Sequence, residues 1–77
     1  MQLDNLSKVD HAFVSAGMTI YYRYDMTGLS GPYTVVKTFR DHEGSKALLR
    51  DGNNDRPILL ADDEDYGALY IYTPTKP

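Results

Sequence analysis

The sequence predicts a small, mainly β fold: five short antiparallel strands closed into a barrel or a strongly bent sheet, preceded by one short N-terminal helix. Three observations lead there. Residues 31–51, GPYTVVKTFRDHEGSKALLRD, are two apolar runs around a polar turn, which is the pattern of a β-hairpin. Met18, Ile20, Tyr22 and Tyr24 alternate with Thr19, Tyr21 and Arg23, the period of a half-buried strand. Five strands within about sixty residues can cover a core only by bending.

Each element has its own local reason. Asp4 or Asn5 is placed to cap a helix reaching about Ala16. Leu6, Val9 and Phe13 fall at i, i+3 and i+7, one helical stripe that Leu3 extends backwards. Gly17 supplies the stop. A helix of about three turns does not persist alone, so it should dock on the sheet or order against a second copy. The first strand, residues 18–24, turns Met18, Ile20, Tyr22 and Tyr24 inward. Residues 25–30 form a loop whose Met26 and Leu29 should fold back over the core or join a contact surface.

In the hairpin, Gly31 and Pro32 mark a strand start. Tyr33, Val35 and Phe39 share the more buried parity, and Lys37 is the exception, with its stem in and its charge out. Residues 40–45 are the turn, with Gly44 at a positive φ. Residues 46–50 return, and residues 51–55 turn again. Ile58 and Leu60 share a face of the fourth strand, behind Pro57 at its start or edge. Asp62, Asp63, Glu64, Asp65, Tyr66 and Gly67 make an acidic turn. In the last strand, residues 68–72, Leu69 and Ile71 share one face and Tyr70 and Tyr72 the other. Residues 73–77 read as a tail, barred from ladder bonding at Pro74 and Pro77.

Ala68-Leu69-Tyr70-Ile71-Tyr72 resembles the ALYDY signature of SH3 domains over those five residues. Ile71 replaces the Asp, the segment lies at the C-terminal end of the chain, and there is no Trp for the proline-binding groove of that family. No ligand residue is carried over. The strand order as a whole is similar to SH3-like, Tudor-like and KOW-like barrels, so an SH3-like barrel is the expected form. At this level a resemblance implies fold and not function.

Length and composition narrow the function classes. At 77 residues the chain is one domain, with a helical segment over 1–17, the β-barrel over 18–72 and the tail over 73–77. A chain of this size buries only roughly 60% of its unfolded surface. Without Cys, disulfides and Cys-ligated zinc are excluded, and a reducing compartment fits. Two His are too few for a His-rich zinc site. Homo-oligomerisation is the remaining stabilising device. The net charge of −3 opposes direct nucleic-acid binding. The N-terminal residues have no signal-peptide character and no stretch matches a membrane span, so a cytoplasmic protein without membrane contact is expected. Seven Tyr with no Trp suit half-buried strand positions and interfaces alike.

Candidate chemistry is sparse. Asp51, Asn53, Asp55 and Asp62 imitate the spacing of an EF-hand loop, but Arg56 stands where Gly is needed and Pro57 follows. His42 and His11 lie beside carboxylates, on a turn tip and a helix, and are expected at the surface. No nucleophile elbow, P-loop or HExxH is present. No catalytic residue, metal or cofactor is assigned. Strand parity leaves Tyr21, Arg23, Tyr70 and Tyr72 on outward faces, a combination that favours protein contact. Asp62, Asp63, Glu64 and Asp65 could meet a basic partner. The expectation is a non-enzymatic protein-interaction module that binds a partner or itself through these eight residues. By analogy, such a chain fits an accessory protein of a phage or mobile element. The alternatives are an acidic inhibitor mimicking nucleic acid, which needs Asp41, Asp51 and Asp55 on one face with the acidic turn, and a small oligomeric enzyme with an inter-subunit site.

Overall fold

The computed structural model describes residues 5–75. Six strands form one open antiparallel sheet: β1 (Leu6–Val9), β2 (Thr19–Tyr24), β3 (Ser30–Asp41), β4 (Gly44–Asp51), β5 (Asn54–Leu59) and β6 (Leu69–Pro74). Their spatial order is β1-β6-β2-β3-β4-β5. A 3₁₀ turn, His11–Phe13, connects β1 to β2. Among the described residues no helix is long and apolar enough to cross a membrane.

The mainly β class is as the sequence predicts, but the strands number six, not five. The difference lies at the N-terminus, where the expected helix is a strand and a 3₁₀ turn. β1 pairs with β6 in the register Leu6↔Pro74, Ser7↔Thr73, Lys8↔Tyr72 and Val9↔Ile71. A sheet edge offers a full row of backbone donors and acceptors. That outweighs the weak helix preference of so short a segment. A helix start signal does exist, one turn long: the Asp10 carboxylate accepts from the Ala12 N–H at 3.0 Å. Phe13, expected on the buried stripe, is 72% exposed. Thr73 and Pro74, expected in a tail, belong to β6, while Leu3, Asp4 and residues 76–77 lie outside the described residues.

Ile20, Val35, Leu49 and Ile71 are fully buried, and Val14, Tyr33, Ala47 and Leu69 complete the core. Apart from Val14, they come from one face of β2, β3, β4 and β6. Among the described residues no second layer covers that face, so such burial requires the sheet to bend. Val9, Met18, Tyr22, Tyr24, Ile58 and Leu60 pack around the rim.

Two register shifts in β3 shape the sheet. One faces β2 between Ile20 and Tyr22, and one faces β4 between Val35 and Lys37. Each inserts one residue and reverses the side-chain parity beyond it. Past the second, Thr38 lies opposite the buried Ala47, so Lys37 and Phe39 share the outer face with their partners Leu48 and Lys46. Phe39 is therefore not on the Tyr33 and Val35 face, and Lys37 is not an exception: its ammonium lies 5.6 Å from the Phe39 ring. The hairpin turn is shorter than expected, with only His42 and Glu43 between the strands, and Gly44 has a φ of +127°.

Candidate functional site

β2 and β6 are neighbours, and their register sets Tyr21 against Tyr72 and Arg23 against Tyr70. Their in-chain neighbours Ile20 and Ile71 are fully buried, so these four side chains stand on the outer face, as the strand parities predict. β1 adds Lys8, the partner of Tyr72. The Arg23 guanidinium lies 4.6 Å from the Tyr70 ring centre and the Lys8 ammonium 4.9 Å from it. Both are within the range of cation–π attraction. Asp25 closes this patch. Its carboxylate accepts from the Ala68 N–H at 3.0 Å. That bond, then the Tyr70 hydroxyl and the Arg23 charge, holds the Asp25 carboxyl below the usual carboxylate range. The same contact pushes the Tyr70 hydroxyl up.

The acidic turn adjoins the patch at Asp25, whose side chain lies against Gly67. Tyr66 in that turn packs on the inward-facing Tyr24, with ring centres 6.0 Å apart. Its four carboxylates are not equivalent. Asp63 accepts from the N–H groups of Asp65 and Tyr66 at 2.7 and 3.0 Å, and Asp62 accepts from the Leu69 N–H at 3.0 Å. Asp63 and Gly67 also exchange both backbone bonds. Asp62 and Asp63 thus satisfy backbone donors; Asp62, Glu64 and Asp65 are exposed and Asp63 is half-buried. The turn is pinned to the loop after β2 by the Met26 N–H donating to the Tyr66 carbonyl at 2.9 Å.

A third group of residues was not legible as a site in the sequence. Tyr22 and Tyr24 on β2, Tyr66 on the acidic turn and Arg56 on β5 line a cleft of about 270 Å³ with Thr27, Gly28 and Ser30. One Arg56 nitrogen donates to the Tyr22 hydroxyl at 2.7 Å and to the Tyr33 hydroxyl at 2.9 Å. The Tyr22 and Tyr33 rings stack at 5.6 Å. Burial pushes the Tyr22 and Tyr24 hydroxyls up, with Asp63 adding to the effect at Tyr24 and Arg56 opposing it at both. The signal was Arg56 at an inward parity, two residues before the half-buried Ile58.

The remaining candidates are structural. Asp55 forms a two-point ion pair with Arg50, at 2.8 and 3.0 Å. Asp41 pairs with Lys46 at 3.0 Å, and Glu43 pairs with the same ammonium. His42 is exposed on its turn. His11 is half-buried, contrary to expectation, and its Nε2 lies 2.8 Å from the Leu69 carbonyl, which requires the ring to donate there. No family model, no curated protein and no solved structure matches this chain.

Proposed function

We propose that this protein is a non-enzymatic interaction module whose outer sheet face, Tyr21, Arg23, Tyr70 and Tyr72 with Lys8, binds a protein partner or a second copy of the chain. The observation behind this reading is the cross-strand array itself: three tyrosines and two cations on one face that no other described element covers, with both cations against the Tyr70 ring. Tyr and Arg provide much of the binding energy at protein contacts. Of the acidic turn, Glu64 and Asp65 are the exposed carboxylates with no backbone bond to keep, and they suit a basic partner best, since Asp62 and Asp63 also serve the backbone. Nucleic-acid mimicry gains less support, because Asp41 and Asp55 are ion-paired and contribute little negative field. As to form, the order β6-β2-β3-β4-β5, with Arg56 of β5 reaching Tyr22 of β2, supports an SH3-like barrel.

The test is affinity capture from the source cell with the wild type, Arg23→Glu/Tyr72→Ser and Glu64→Gln/Asp65→Asn, with sedimentation velocity on each. The reading expects a partner, or a self-associated mass, that the first variant loses. Identical partners and identical mass for all three would overturn it.

A further inference from the structure

The cleft between β2, β5 and the acidic turn is lined by the inward-facing Tyr22 and Tyr24 of β2, not by the outward-facing Tyr21 and Arg23. Tyr22 and Tyr24 meet edge to face at 6.1 Å, and Tyr24 and Tyr66 tilt together at 6.0 Å, so three rings form a continuous wall. At one end stands Arg56. A guanidinium has five N–H donors, and here one nitrogen is used by the Tyr22 and Tyr33 hydroxyls. Among the described residues Arg56 forms no ion pair; the cations that do are Lys46 and Arg50. Its charge is thus positioned by two tyrosines and unmatched, and its remaining donors suit a carboxylate or phosphate. At the other end Tyr66 of the acidic turn lines the cleft, and its chain neighbours Glu64 and Asp65 are exposed. The cleft thus joins one cation to an aromatic wall, with two exposed carboxylates in the chain just before Tyr66.

Its volume of about 270 Å³ lies just under the range that encloses whole cofactors, and matches side-chain-sized groups. A polyanion would meet Arg56 but be repelled by the acidic turn and by the net charge of −3. We propose that the cleft binds a short extended peptide segment of mixed charge, with an Asp or Glu carboxylate on Arg56, a ring-bearing side chain against Tyr22, Tyr24 and Tyr66, and a Lys or Arg towards Glu64 and Asp65.

The test is a ¹⁵N NMR titration of the full chain with the blocked tripeptides Ac-Glu-Phe-Lys-NH₂, Ac-Lys-Phe-Glu-NH₂ and Ac-Gln-Phe-Gln-NH₂, and with a nucleoside monophosphate. Saturable shifts are expected at Tyr22, Tyr24, Ser30, Tyr66 and the Arg56 side chain. One of the two charged orders should bind at least about tenfold more tightly than the neutral peptide, as a charge-assisted pair allows. Arg56→Gln should remove that margin, and Glu64→Gln/Asp65→Asn, at exposed positions where folding is not at stake, should reduce it. Equal binding of the neutral peptide, shifts confined to Tyr21 and Tyr72, or tighter binding of the nucleotide would overturn the proposal.

Discussion

Gly31 illustrates how much a single residue can decide. It sits in the first register shift at a φ of +132°, and a Cβ added there would lie 2.9 Å from the Tyr21 ring and 3.0 Å from the Ile20 carbonyl. Gly31→Ala should therefore lose about 1–3 kcal/mol from backbone strain alone. Gly28→Ala, with nothing within 4 Å, should stay within about 0.5 kcal/mol of wild type in the same urea titration. The residue scale also fixes the acid response. Asp25, Asp41 and Asp55 are all held below the usual carboxylate range, by the Ala68 N–H, by Lys46 and by Arg50 respectively. A depressed folded value means that the stabilisation is present above the unfolded value and is lost as pH falls through the folded one. The urea midpoint should be level above about pH 5 and decline in acid. The decline should be shallower in Asp25→Asn, which cannot lose a charge there.

At the scale of elements, the acidic turn separates carboxylates that hold structure from those that do not. Asp63→Ala leaves two backbone N–H groups without their acceptor. It should cost about 1–3 kcal/mol, at roughly 0.5–1.5 kcal/mol per bond. Glu64→Ala should change the denaturation midpoint by no more than about 0.5 kcal/mol. The elements also show what periodicity can and cannot reveal. Strict alternation placed Ile20, Leu69 and Ile71 in the core and Tyr70 and Tyr72 outside it, because parity is local. The β1 strand is not legible in the sequence because its partner β6 is more than sixty residues away, and Leu6, Val9 and Phe13 happen to fit a helical stripe. The face that Phe39 takes differs from simple alternation because nothing in Val35-Val36-Lys37 announces an inserted residue. Strand parity alone puts the outer tyrosines on outward faces, but only the pairing of β2 with β6 brings them together. The cleft could not be read from the sequence, since it needs the sheet to bend until β5 approaches β2.

For the molecule as a whole, one buried face holds nearly all of the core. Ile20, Leu49 and Ile71 are fully enclosed, so truncating any of them to Ala should cost about 2–5 kcal/mol. That is a large fraction of the roughly 5–15 kcal/mol that holds a typical protein folded. Leu49→Ala should be mostly unfolded at body temperature by circular dichroism or nearly so, while Lys8→Ala on the outer face should melt within a few degrees of wild type. Non-local pairing also sets the pace, because β1 and β6 must close a loop of almost the whole chain before they gain anything.

The pairing of β1 with β6 has a mechanical meaning too. Asn5 and Thr75 are neighbours, joined by the Thr75 N–H and hydroxyl, both at 3.0 Å from the Asn5 carbonyl. Tension applied between these two points would pull two adjacent antiparallel strands apart from one end, rupturing their rungs one at a time and not together. In an optical trap, handles attached there should open the chain at low force, whereas handles at Asn5 and Gly52 should load several strands at once and hold to a higher one.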